Sequence, residues 1–374
     1  MKRFAVLFLV LILSLSFCAC GSGENGTIES IDNNKLNEVG GVTESVTETI
    51  ATPAREYPQN FLAAFEDGTT VFGLSDIDRF DIESITFLDT LKDMPAGAWD
   101  ASADKDGSVM AWMNGVDVFV AGEGGVTATS CKNLFSGYEC VKSINFNDCF
   151  YTDISVSMDE MFNLNYNLTE LDLSFFNTSN VTNMEGMFWS CYSLKNCDLT
   201  SFDTSNVTNM NAMFKNCRSL ETVDLSTFDT TKTTTMSSMF KECRSLKELD
   251  VSNFNTSAVT DMNEMFNDCY SLTTLDVTNF DTSNVTSMFS MFYHLGLETL
   301  DVSSFDTSKV KNMRLMFAES DNLKNLDLSG FDFSSVTETT EMFKNCGNLT
   351  SVGCTISLPD GCKQKGMYMG SGME

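Results

Sequence analysis

The chain has 374 residues and a formal net charge of −29, from 23 Lys and Arg against 52 Asp and Glu. That balance excludes nucleic acid as a partner, because neutralising phosphates needs a basic patch and no run of Lys and Arg stands in the sequence. The single His, at 294, leaves no second imidazole for a metal pair or a catalytic relay.

Lys2 and Arg3 precede an apolar run from Ala5 to Leu15, which is too short to span a membrane and reads as an export signal over residues 1–19. It ends at Phe17-Cys18-Ala19-Cys20, which resembles a bacterial lipobox, with Phe17 where Leu is usual. The resemblance implies that Cys20 is lipidated, becomes the mature N-terminus and anchors an exported protein to the membrane. Residues 20–56 are rich in Gly, Ser, Thr, Asn and Glu and hold no aromatic, so they read as a flexible acidic tether. Residues 57–129 form a small, mainly β N-terminal cap with Trp99 and Trp112.

From about residue 130 the chain repeats. Phe135, Phe162, Phe188, Phe214, Phe240, Phe266, Phe292, Phe317 and Phe343 close the same phrase, at a spacing of 26 residues with one slip to 27 and one to 25. A period of that size means stacked coils, each of which buries its apolar face only against its neighbours. Within a coil, Leu249-Asp250-Val251-Ser252 alternates apolar and polar, the period of a strand. Asp203-Thr-Ser-Asn-Val-Thr208 is turn chemistry, and Met210, Met213, Phe214 and Cys217 fall at i, i+3, i+4 and i+7, the stripe of a short helix. A second Phe column (176, 202, 228, 254, 280, 305 and 331) reads as an inner spine. The prediction is an α/β repeat solenoid over residues 130–352, about nine coils, each with a short parallel strand and a short helix. Residues 353–374 lose the period and read as a C-terminal cap and tail.

The unit MFxxCxSLxxLDLSxFDTSNVTNM resembles the BspA-type bacterial leucine-rich-repeat surface proteins, over about residues 130–352. The stretch from Trp99 to Trp112, with residues 122–135, is similar to the cap common in that family. The resemblance implies a leucine-rich-repeat-like stack displayed on the bacterial cell surface. It also implies, for some members, adhesion to host matrix or to other cells.

If the strands line one face, Asp172, Asp198, Asp224, Asp250, Asp276, Asp301 and Asp327 form a ladder there, each beside a Ser or Thr. Carboxylates at the strand spacing of roughly 5 Å repel, and relief comes from those hydroxyls or from calcium, which accepts several carboxylate oxygens. Asn-Val-Thr tripeptides match a glycosylation sequon but arise from the repeat. Of 13 Cys, Cys18 and Cys20 fall at the leader and eleven remain. Cys191, Cys217, Cys243, Cys269 and Cys346 recur in register and read as a buried column of small apolar groups. The exposed positions of the strand are nearly identical from coil to coil, so irregular places carry specificity: Tyr293 to Gly296 in the shortened coil, the cap, and Trp189. No HExxH, GxSxG or phosphate-binding Gly loop occurs, and no pair of unlike carboxylates stands out. The expectation is a non-catalytic binding or adhesion lipoprotein facing an extracellular protein or cell-surface ligand. A structural coat or spacer and a calcium-binding protein using the Asp ladder are the alternatives.

Overall fold

The chain divides into Met1–Ala54 and Arg55–Glu374. The computed structural model describes residues 57–373; the leader, Cys20 and the tether lie outside the described residues. The cap is built from β1 (Phe61–Leu62), β2 (Ser84–Leu88), β3 (Trp99–Asp100), β4 (Met110–Asn114), β5 (Asp117–Ala121) and β6 (Val126–Ala128). With β7 (Ser143–Asn145) and β8 (Phe150–Tyr151) these make a five-stranded sheet, β3-β4-β5-β2-β7, and a three-stranded one, β1-β6-β8. The hairpin β4–β5 is antiparallel, while β2 runs parallel to both β5 and β7. The first repeat is therefore joined to the cap through shared parallel strands.

Beyond residue 151 the expected coil of strand plus helix does not form. Among the described residues the only helix is a 3-10 turn at Arg79–Asp81. The segment read as helical is a chain of tight turns. In residues 210–217, Met213, Lys215 and Cys217 donate to the carbonyls three residues back, at 3.4, 3.0 and 3.0 Å. The N–H groups of Met210, Ala212, Phe214 and Asn216 instead donate to Thr235, Ser237, Met239 and Lys241 of the next coil, at 3.2, 2.8, 2.9 and 2.7 Å. Such alternation is parallel-sheet bonding threaded through turns, and it leaves no bond to the fourth residue back. Its cause is backbone conformation: Ala212 (φ 54°) and Asn216 (φ 63°) sit in the left-handed region, and so do Ser238, Glu242, Glu264 and Asp268 one and two coils on. A left-handed residue every four positions keeps the i, i+3, i+4, i+7 apolar stripe pointing inward while breaking any helix.

The segment read as a strand does alternate, with Leu249 and Val251 buried and Asp250 exposed. It forms no continuous ladder, and the N–H groups that close the phrase are taken locally. Ser252 N–H donates to Asp250 Oδ1 at 2.9 Å and Phe254 N–H to the Val251 carbonyl at 3.1 Å. Single parallel bridges instead run through one position of the tight turns, from Ser157 through Asn183, Asn209, Thr235, Asp261, Ser287, Asn312 and Glu338 to Lys363, and one more joins Thr299 to Asn325.

Four side-chain columns fill the interior beside buried columns of Met, Val and Leu. The Phe of the MF phrase forms a stacked spine from Phe135 to Phe343, with centroids 5.4–6.0 Å apart and planes within 11° of parallel. The second Phe column is buried as well, and its Phe305 and Phe331 stack at 6.4 Å. In the Cys column, the Cys217, Cys243 and Cys269 thiols donate to the carbonyls of Phe188, Phe214 and Phe240 at 3.1–3.2 Å, and Ser320 does the same to Phe292 at 3.0 Å. These thiols are small buried donors. Desolvation pushes Cys191 up to about 12, and all eleven described cysteines are free. The fourth column is the Thr of the turn phrase: Thr204 Oγ1 donates to the Asp229 carbonyl at 3.0 Å and accepts the Asp229 N–H at 2.8 Å.

The coil pattern continues past residue 352. Tyr368 stacks on Phe343 at 5.7 Å, Gly366 and Gly370 hold the two left-handed positions, and Phe343 N–H donates to the Met367 carbonyl at 2.8 Å. The shortened coil is closed by Gly296, where a Cβ would lie 2.1 Å from the Tyr270 carbonyl oxygen, so only Gly fits.

Two outcomes are expected in denaturant unfolding. Thr204→Val strands a buried N–H and carbonyl and costs about 1–3 kcal/mol, whereas Thr227→Val, on the exposed surface, stays within about 0.5 kcal/mol. At Ala212, substitution by Val costs more than about 1 kcal/mol because a branched side chain opposes positive φ, while Gly is neutral or stabilising.

Candidate binding surface

Three turns in each coil are capped by a side-chain oxygen. In one coil, Asp224 Oδ1 accepts from Ser226 N–H, Asp229 Oδ1 from Thr231 N–H, both at 2.9 Å, and in the preceding one Asn209 Oδ1 accepts from Asn211 N–H at 3.0 Å. This is Asx-turn chemistry at fixed places, so these positions are Asp, Asn, Ser or Thr in nearly every coil, with Glu338 capping the Thr340 N–H in one.

The predicted ladder is the first of these caps. Asp172, Asp198, Asp224, Asp250, Asp276, Asp301 and Asp327 are all exposed, and each accepts the N–H two residues on at 2.9–3.0 Å. Hydroxyls add to this, as Thr200 to Asp198 at 2.7 Å and Thr278 to Asp276 at 2.6 Å. The Ser or Thr hydroxyl, then its N–H, holds the carboxyls of Asp198, Asp224, Asp250, Asp276 and Asp301 below the usual 3.8; at Asp327 the Ser329 N–H leads. Neighbouring carboxylates oppose this at Asp224, from Asp198 and Asp250, and the local hydrogen bonds outweigh them. Asp172, Asp198 and Asp224 line an open groove of about 890 Å³ with Leu171, Cys197 and Val223. Calcium does not fit this arrangement. Each ladder carboxylate is already turned onto its own backbone, and among the described residues no three His, Cys, Asp or Glu side chains converge as a metal site.

The sequon asparagines are occupied too: Asn180, Asn206 and Asn284 donate to the carbonyls of Asp153, Ser179 and Ser257 at 2.8–2.9 Å. In the cap, Trp99 Nε1 donates to the Phe72 carbonyl at 2.9 Å, and Trp112, buried, stacks on Phe119 at 5.6 Å.

A different face brings unlike side chains together. It is the outer side of the tight turns, the face whose backbone is paired between coils. The residue after the Cys column runs Tyr166, Tyr192, Arg218, Arg244, Tyr270, Gly296, Asp321 and Gly347, and the residue after the Phe spine runs Trp189, Lys215, Lys241, Asn267, Tyr293, Ala318 and Lys344. Tyr166 and Tyr192 stack at 4.7 Å and 7°, and the Arg218 guanidinium lies 4.6 Å over Tyr192. Lys215 lies 4.5 Å over Trp189. Arg218 and Arg244 share Glu242, each at 3.0 Å; Arg244 also reaches Asp268 at 2.7 Å, and His294 Nδ1 meets Asp268 at 2.5 Å. Trp189 and His294 thus lie on one face. Sequence reasoning singled those two out separately and missed Tyr192, Arg218 and Arg244. The signal for them was variation at one repeat position between constant neighbours.

The depressed carboxyls fix the acid behaviour. A group whose folded value lies below its unfolded one stabilises the fold above the unfolded value and loses that contribution as pH falls through the folded one. The melting temperature is therefore expected to fall as pH drops below about 3.8, with Asp229, Asp281, Asp306 and Asp332 adding to the effect. Asp224→Asn with Asp250→Asn and Asp276→Asn keeps the caps, since Asn makes the same turn. A pH series of thermal melts should show a shallower acid limb in that variant and little change at pH 7; an unchanged limb would reject the assignment.

A family model described as "Mycoplasma protein of unknown function, DUF285" matches residues 156–274 and again 246–353. Comparison with curated proteins and with solved structures gave no match. The two matched stretches run without a gap from residue 156 to residue 353, more than half of the chain, and the chain belongs to this DUF285 family.

Proposed function

We propose that this chain is a BspA-type surface protein, held at a cell surface by lipid on Cys20, and that it is a non-catalytic binding module for a host matrix component or another cell. One observation carries the reading. The exterior separates into capped turns whose residues repeat in every coil and a backbone-paired face whose residues change from coil to coil. A rigid stack with such a varied face presents many coils to a partner at once, the arrangement by which solenoids bind. The objection that the exposed strand positions are uniform no longer applies, since the uniform residues belong to turn caps.

Equilibrium binding of the purified chain to immobilised matrix glycoproteins and to whole bacterial cells, at low and high salt, tests this. Saturable binding to one target that survives high salt is the expected result. Binding lost with salt reduces to acidic surface meeting basic surface; no binding to any target leaves the coat or spacer reading and rejects this one.

A further inference from the structure

The basic residues of the array are unevenly placed. Lys195, Lys215, Arg218, Lys232, Lys241, Arg244 and Lys247 fall within a few coils, and none occurs from 248 to 308. Four of them, Lys215, Arg218, Lys241 and Arg244, stand on the variable face. We infer that the rail formed by Tyr166, Tyr192, Arg218 and Arg244, flanked by Trp189 with Lys215, is a docking surface for an acidic polypeptide segment of a partner protein. This rests on the binding reading above and names the chemistry of the partner.

The geometry leaves cationic donors at the surface. Tyr166, Tyr192 and the Arg218 guanidinium stack along the coil axis, so ring faces are covered and ring edges point outward. The edge of an aromatic ring is its positive part. Lys215 covers Trp189 in the same way and makes no ion pair among the described residues. Glu242 is shared between the two guanidiniums, Asp268 also pairs with Arg244 and Glu264 with Lys241, yet each guanidinium carries more N–H donors than these bonds use; the Arg218 and Arg244 side chains remain 42% and 36% exposed. Planar guanidiniums match carboxylates by paired hydrogen bonds. Tyr, Trp and Arg are also the residues that dominate protein interfaces, whereas Asp, Ser and Lys are depleted there. A sugar ring would need an open aromatic face, and at Tyr192 the neighbouring coils occupy both faces, with Tyr166 on one and Arg218 on the other. The Asp ladder cannot compete for the same partner, because it lies on the groove face and repels it.

The test uses the full chain and a short fluorescent polyglutamate peptide, read by anisotropy at low and physiological salt. A chain of net charge −29 would repel this probe over most of its surface, so saturable binding identifies a local site. Arg218→Gln with Arg244→Gln should weaken it about tenfold, while Lys309→Gln with Lys311→Gln leaves it unchanged. Lys215→Gln reads the same site without touching the ion pairs, should the double variant melt early. No polyglutamate binding, equal binding by the Arg and Lys215 variants, or binding of heparin alone each overturns the proposal. Retention on matrix or cells without polyglutamate binding would leave the binding reading intact and reject only this surface. Loss of both would reject both.

Discussion

The structure depends on the way each coil's tight turns dispose of their N–H groups. In residues 210–217 every second N–H turns back onto its own turn, and the others have no acceptor except the carbonyls of the next coil. Buried backbone donors must be paired, so a coil cannot fold by itself and stacking is obligatory. Everything inside follows the same axis. The Phe spine, the thiol column and the Thr column each connect a residue to its counterpart about one coil away, through ring stacking, a thiol donor and a two-way hydroxyl. Unfolding one coil removes partners from both neighbours, which makes the stack cooperative over near neighbours.

The same constraint divides the exterior. Turns need caps, and caps need a short polar side chain, so the Asp of the ladder, the Asp of Asp-Thr-Ser and the Asn or Asp before the Met are fixed by local chemistry. No partner is required to explain their regularity. On the tight-turn face the backbone is paired through inter-coil bonds, and the side chains after the Cys column are not needed to cap a turn. That is why Tyr192, Arg218, Arg244 and Tyr270 can differ at one repeat position while the residues around them do not.

Much of this was legible in the sequence. The period, the inward columns and the alternation of Leu249, Asp250 and Val251 all follow from spacing. The helix did not, because the stripe Met210, Met213, Phe214, Cys217 is satisfied equally by a helix and by a chain that folds back every four residues. The distinguishing signal lay in the positions between: Gly186, Gly366 and Gly370 mark left-handed sites that Ala212, Ser238 and Asn216 occupy elsewhere. The ladder of strands failed for a second reason. Asp side chains capture the N–H groups that a ladder would use, a competition that alternation alone does not reveal. The tail escaped notice because Tyr368 stands for Phe and Ser371 for Cys, with Gly366 and Gly370 at the left-handed positions. For the surface, the Asp ladder was found in place, but its relief is its own turn rather than a cation.

The left-handed positions tie strain to display. A non-Gly residue there costs roughly 1 kcal/mol, and Gly would remove the strain at the expense of about 0.5–1 kcal/mol of extra chain entropy. The two nearly cancel, so stability does not dictate Gly. A side chain at such a position is therefore close to free, and its direction is set by a rigid turn. Glu242, Asp268 and His294 are all left-handed, with φ of 59°, 61° and 50°, and they supply the groups that hold Arg218 and Arg244 in line. These carboxylates pair with cations of the preceding coil, Arg218 with Glu242 and Arg244 with Asp268, so they tie coils together as well as orient the guanidiniums. Their presence in adjacent coils, facing the array's clustered cations, is what a surface shaped for a partner would contain.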